Sequence, residues 1–163
     1  MSNLTNELKA LLVKEGADLV GFADLSSIVK NNLNSGISVA VKIPINVIKS
    51  IYGGPTIDYY NSYLKINDKL DILISIGADF LIKRGYKAFA QTTNNVKEFD
   101  VYRTILPHKT VATHAGLGWT GKSALLVTEE YGSAVSISSL VSDAKFEYGI
   151  PITKSKCGNC MKC

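Results

Sequence analysis

Three cysteines, Cys157, Cys160 and Cys163, crowd the last seven positions of a 163-residue chain that has no other cysteine. This spacing constrains the protein more than any other feature. A disulfide framework spreads its cysteines so that bridges staple distant loops, and three is an odd number, so the pattern argues against a secreted disulfide scaffold. Two-residue spacers instead let several thiolates converge on one centre while the chain wraps it. The run Cys157-Gly-Asn-Cys160-Met-Lys-Cys163 opens the iron–sulfur pattern C-x2-C-x2-C-x3-C-P. Zinc, which normally takes four ligands, is the competing occupant, and a segment without native metal is the third reading. Gly158 suits a tight turn between the first two thiols, and Lys156 and Lys162 would offset thiolate charge. Because the sequence stops on the third ligand, residues 146–163 read as the incomplete start of a ferredoxin-like segment, appended to an α/β core over residues 1–145.

The rest of the chain has the means to build that core. It is 46% hydrophobic and 20% charged, a balance that excludes wholesale disorder, and its length suits one domain. No apolar run approaches the roughly 20 residues of a membrane-spanning helix. The first residues carry an acid and lack an apolar h-region, so no signal peptide is read and a cytoplasmic location is expected. The net charge of +4 comes from 18 basic and 14 acidic residues scattered without a basic run. Charge therefore gives no case for a nucleic-acid stripe, although an anionic partner would be weakly attracted.

Periodicity orders the elements. Leu4, Leu8, Leu11 and Leu12 recur at helical spacing before Gly16, predicting a helix over residues 3–15. Leu19 to Phe22 reads as a strand, Ser26 to Leu33 as a short helix, Asn34 to Gly36 as a turn, and Ile37 to Ile43 as a buried strand halted by Pro44. After the loop Tyr52 to Thr56, Thr56 caps a long helix running to about Arg84, with Ile66, Leu70, Leu73, Ile74, Gly77 and Leu81 near one face. Further strands are expected at Tyr86 to Ala90, Ala124 to Thr128 and Ala134 to Val141, with a turn at Glu129 to Ser133. Beyond Ser142 periodicity fades. Strands interleaved with helices predict an α/β (or α+β) sandwich: a mixed sheet flanked by helices, with the iron–sulfur segment at its C-terminus.

Gly116-Leu-Gly-Trp-Thr-Gly-Lys-Ser123 matches G-x-x-x-x-G-K-[ST], which would make the chain a nucleotide binder with Lys122 on phosphate and Ser123 on magnesium. A phosphate loop must open a helix, whereas Ala124-Leu-Leu-Val-Thr reads as a strand, and too few residues follow for the rest of such a sheet. Turn glycines or a loop touching another cofactor are the alternatives. His108 and His114 are the only histidines; six residues apart, they fall on different faces of any helix and do not share a metal. His108, just before the glycine loop, is the better candidate for proton transfer. Asp58-Tyr59-Tyr60-Asn-Ser-Tyr63 reads as amphipathic rings packing at a cleft edge. Asp100 to Arg103 combines an acid, a tyrosine and a base without a spacing that makes a site.

The stretch from Leu106 to Asp143, with its glycine loop, its Tyr131-Gly132-Ser133 turn and the cysteine run that follows, resembles the epoxyqueuosine reductase family, or more closely relatives of that family. The resemblance is strong over about the last sixty residues and lies only in general layout before them. It implies a cobalamin-dependent iron–sulfur reductase whose core is similar to that of reductive dehalogenases, a sandwich related to nitroreductases. It further implies that Cys157, Cys160 and Cys163 are the first three ligands of a [4Fe-4S] cluster. Gly116, Gly118, Trp119, Gly121, Lys122 and Ser123 would lie on the loop near the corrin, with Tyr131, Gly132 and Ser133 beside it. The family's fourth cysteine and second cluster motif lie beyond Cys163. The Asp-Ser/Thr-Ala-Pro context of the tRNA-modifying members is missing here: Tyr102 falls near the position, and Asp100 reaches it only with a small gap. A redox enzyme follows, with His108 and Asp100 as candidate proton donors, an electron-donor protein as partner, and a small molecule or modified nucleoside as substrate. Its rivals are a non-enzymatic iron–sulfur or zinc module that docks a partner protein, a phosphate-loop nucleotide binder, and a flavin enzyme.

Overall fold

The computed structural model describes residues 3–96 and 106–161. Helix α1 (Asn3–Lys14) buries Leu8 and Leu12 completely. It stops where Gly16 takes φ +104°, with Gly16 N–H donating to the Val13 carbonyl and Ala17 N–H to the Leu12 carbonyl, a left-handed C-terminal cap that a side chain would strain. Strands β1 (Leu19–Asp24) and β2 (Ser35–Lys42) follow. A six-residue helix α2 (Ile45–Ser50) leads to the 26-residue α3 (Ile57–Ile82). Thr56 caps α3 as its spacing predicts, its hydroxyl accepting from Tyr59 N–H at 3.2 Å. The chain continues through β3 (Ala88–Ala90), α4 (His108–His114), β4 (Trp119–Thr120), β5 (Leu126–Val127) and β6 (Val135–Ser142).

The main sheet runs β1-β2-β6-β3, and each of its described ladders is antiparallel. The α/β sandwich stands; what is mixed is helix with strand rather than strand direction. Both faces are covered. Val20 and Phe22 of β1, Ile37, Val39 and Val41 of β2 and Leu140 of β6 meet α1 and α3 through Leu8, Leu12, Leu70, Leu73 and Leu81. On the opposite face, Ala23 and Val141 pack with Leu25, Leu106, Val111 and Ala115 around α4. Fully burying each of the large aliphatic side chains contributes roughly 1.5–3 kcal/mol. Glycines set the closeness of the layers: a Cβ on Gly77 would stand 2.8 Å from Leu140 Cδ2, and one on Gly36 2.7 Å from Val111 Cγ1.

The sequence expectations fail at three places. Ser26 to Leu33 forms no helix; Ile28 N–H and Val29 N–H both donate to the Leu25 carbonyl in a single turn, and bends follow. Its apolar residues, Val29 and Leu33, pack onto the α4 side of the core without helical periodicity. Ser35 and Gly36 belong to β2 rather than to a turn, because pairing with Ser142 and Val141 of β6 carries the ladder outward. Helix α2 and strand β4 had no periodic signal, since one is six residues long and the other two, while β5 falls inside the strand expected over Ala124 to Thr128 but keeps only its middle.

Past Ser142 the chain forms a strap without regular structure that carries the cysteines to the hairpin. Ala144 and Phe146 are buried, and the Phe146 ring lies 4.9 Å from that of Phe22. Tyr148 hydroxyl bonds Ser35 Oγ at 2.7 Å, Gly149 N–H donates to the Phe22 carbonyl, and Ile152 N–H to the Thr113 carbonyl. No helix among the described residues is long and apolar enough to cross a membrane.

Candidate redox site

The site is built where α4 ends. Leu117 N–H donates to the Ala112 carbonyl and Gly116, at φ +75°, reverses the chain. Strand β4 then pairs with β5, Trp119 opposite Val127 and Thr120 opposite Leu126, and Gly121 N–H closes on the Leu125 carbonyl. The segment that matches a phosphate loop is thus a β-hairpin that opens no helix, which removes the nucleotide-binding alternative: no helix N-terminus stands there to receive phosphate. Its glycines answer to packing within the chain. A Cβ on Gly118 would lie 2.2 Å from the Val127 carbonyl oxygen, one on Gly121 2.8 Å from Val127 Cγ2, and one on Gly116 2.8 Å from the Ile150 carbonyl oxygen. At the hairpin tip Lys122, Ser123, Ala124 and Leu125 are exposed, and Ala124 holds φ +63°, a left-handed conformation unusual for a residue with a Cβ. Lys109 Nζ donates to the Ala124 carbonyl. Next to the hairpin, Thr128 and Gly132 exchange backbone hydrogen bonds around the predicted turn; Gly132 sits at φ +58°, and Lys42 Nζ lies 5.8 Å from the Tyr131 ring centroid.

The cysteine segment docks on this hairpin. Cys160 N–H donates to the Cys157 carbonyl at 2.9 Å, closing a turn whose Gly158 takes φ +51°, so the two described thiols share one tight loop. Lys122 Nζ reaches the Cys160 carbonyl at 3.1 Å and Met161 Sδ at 3.7 Å. Lys156 Nζ pairs with Glu129 Oε1 at 2.5 Å and lies 5.5 Å from the Trp119 ring centroid. The Ser155 hydroxyl first, then the Trp119 indole N–H, the Lys122 backbone N–H and the Lys122 ammonium hold the Cys157 thiol below the usual range. Trp119 Nε1 is buried and has no partner at full hydrogen-bond geometry. A buried indole N–H facing the Cys157 sulfur without a partner at full geometry fits an occupant that brings further sulfur acceptors, as an iron–sulfur cluster does. Among the described residues no three His, Cys, Asp or Glu side chains gather as a metal site; Cys163 lies outside them.

The histidines separate as their spacing requires. His114 ends α4 with Nδ1 2.8 Å from the Thr110 carbonyl. His108 begins α4, and its Nδ1 lies 2.8 Å from Ser139 Oγ of β6, which also accepts from Gln91 Nε2 at 2.8 Å. Burial pushes the His108 imidazole pKa down, against a smaller upward pull from the Asp71 carboxylate. Ser139 and Gln91 carried no motif; only the β2-β6-β3 register brings them under His108. Asp100 lies outside the described residues. The tyrosine cluster meets expectation in part: half-buried Tyr59 and the edge of Tyr63 line a small pocket with Ile43, Ile66 and Ser136, Tyr60 is exposed, and Asp58 faces a groove of about 540 Å³ with Pro44, Ser50, Asn61 and Lys65.

No family model matches the chain. Curated epoxyqueuosine reductases do match part of it: that of Listeria monocytogenes is 43% identical over 53 residues, 32% of this chain and 14% of the relative. That of Bacillus subtilis is 38% identical over 58 residues, 36% of this chain and 15% of the relative. The structure of the Bacillus subtilis epoxyqueuosine reductase superposes with TM-score 0.60 at 20% identity, covering 98% of this chain and 50% of that one. A catabolic reductive dehalogenase superposes with TM-score 0.73 at 15% identity, covering 89% of this chain and 22% of that one. The chain thus spans about half the length of the solved epoxyqueuosine reductases, and likeness at these identities speaks for the fold. The chain is similar to the epoxyqueuosine reductases over about a third of its sequence, and it has an α/β fold like theirs and like that of reductive dehalogenases.

Proposed function

We propose that this chain is the core of an iron–sulfur reductase that works with cobalamin. The observation that carries the reading is the docking of the Cys157–Cys160 turn on the glycine hairpin, where Lys122, Ser155 and the buried Trp119 N–H surround a thiol whose pKa they hold below its usual range. Cys157 and Cys160, joined by Cys163, would hold the cluster, while Lys122 and Lys156 offset its negative charge. For a corrin, the exposed hairpin tip offers Lys122, Ser123 and Leu125, an ammonium, a hydroxyl and an apolar side chain suited to its amide-bearing edge. Gly116, Gly118 and Gly121 serve that tip by letting it fold tightly, not by lining a cradle. When bound, the two groups supply one-electron transfer and a strongly reducing centre. The protein's own part is to orient them and to deliver a proton, for which His108 is the candidate. An electron-donor protein and a reducible small molecule or modified nucleoside complete the scheme; one related reductase has been solved with an epoxyqueuosine-modified tRNA stem loop.

The test is iron, sulfide and cobalt analysis of the protein purified and reconstituted without oxygen, with the cob(II)alamin spectrum recorded as protein is added. Iron and sulfide together with a shifted cobalt spectrum are expected. Zinc without sulfide, and a cobalt spectrum that stays unchanged, would turn the assignment to a metal-bearing module that docks a partner.

A further inference from the structure

We propose that Ser139 is a positioning residue that fixes the tautomer of His108, making Nε2 the nitrogen that carries the proton. The argument is one of donors and acceptors. Gln91 Nε2 is a donor only, so at 2.8 Å Ser139 Oγ accepts from it, and the hydroxyl hydrogen must go elsewhere. The acceptor within reach is His108 Nδ1, also at 2.8 Å. Ser38 faces Ser139 directly across the β2–β6 ladder and is fully buried, yet its Oγ finds no hydrogen-bond partner among the described residues, so it does not divert that hydrogen. Ser139 is itself fully buried and Gln91 nearly so, which leaves no bulk water to offer Ser139 a substitute acceptor. A neutral imidazole that accepts at Nδ1 carries its hydrogen on Nε2. Burial favours that neutral form, the Asp71 carboxylate being the opposing charge.

His114 provides an internal reference of opposite sense. Its Nδ1 lies 2.8 Å from the Thr110 carbonyl, and a carbonyl only accepts, so the neutral His114 ring carries its hydrogen on Nδ1. One short helix therefore begins with one tautomer and ends with the other. The consequence for chemistry rests on the proposed reductase reading: the neutral His108 ring would present its Nε2–H as a hydrogen-bond donor, on the nitrogen turned away from the Ser139–Gln91 pair.

Long-range 1H–15N correlation spectra of the full-length, 15N-histidine-labelled protein near neutral pH read both rings directly. The expected result is the Nε2–H pattern for His108 and the Nδ1–H pattern for His114. Ser139→Ala should abolish the His108 preference and leave His114 unmoved, while Ser139→Thr, which keeps the hydroxyl, should restore it. An Nδ1–H pattern for His108 in the unmodified protein, or an unchanged pattern in folded Ser139→Ala, overturns the proposal. The unmodified protein decides the tautomer even if a variant fails to fold. These spectra are independent of the iron and cobalt analysis, so failure of the tautomer assignment and failure of the reductase reading are told apart.

Discussion

His108 shows how one side chain acquires properties its sequence neighbours do not hint at. Burial lowers its pKa, so the folded protein holds the ring neutral at a pH where the unfolded chain, titrating near 6.5, is already taking up a proton. The unfolded state then binds more protons, and stability rises with pH through this window and falls on acidification below about 6.5. Thermal unfolding at a series of pH values should therefore show a steeper acid-side loss for the unmodified protein than for His108→Gln, whose side chain cannot titrate. Equal slopes would mean that the ring is solvated.

At the scale of elements, the glycine hairpin is held by close backbone approach. The Cβ of Gly118→Ala would stand 2.2 Å from the Val127 carbonyl oxygen, a backbone atom held by the pairing of Val127 with Trp119, the residue that follows Gly118. That overpacking should cost about 1–3 kcal/mol and open the hairpin. Chemical denaturation would register the loss, and a variant as stable as the parent would show that the β4–β5 pairing is looser than described. The same replacement at Gly132, where nothing lies within 4 Å of a Cβ, meets only the strain of φ +58°. A left-handed alanine of this kind costs roughly 1–2 kcal/mol, without opening the hairpin.

At the scale of the molecule, the question is what holds the cysteine segment to the core. Two kinds of tie are present. Lys156 and Glu129 form an ion pair whose side chains are 52% and 69% exposed, so solvent and salt screen it and it contributes little. The strap upstream instead makes backbone hydrogen bonds to Phe22 and Thr113 and seats Gly149 where a Cβ would be 2.2 Å from the Ala115 carbonyl oxygen. The strap should dominate. Limited trypsin digestion should cut Gly149→Ala rapidly after Lys154 and Lys156, with Lys156→Ala resisting at Lys154 much as the parent does. Rapid cleavage of Lys156→Ala at Lys154 would reverse that ranking. A detached strap would also carry Cys157 away from Trp119 and Lys122, so this mechanical tie belongs to the proposed redox site.

Local chemistry was enough for part of this protein. The leucine spacing of α1, the Thr56 cap and buried face of α3, the two long inner strands and the cysteine turn with its Gly158 are legible because each depends on neighbours within a few residues. Register and approach are not local quantities. That Ser139 lies beneath His108, that Gly118 and Gly149 are fixed by carbonyls from other segments, and that Trp119 meets Cys157 all depend on which strands pair and on where a strap without periodicity crosses the sheet. Sequence determined the kinds of atoms available, thiols, ammonium groups and an imidazole; tertiary packing decided which of them became neighbours, because only burial and a shared ladder bring residues thirty or more positions apart within hydrogen-bonding distance.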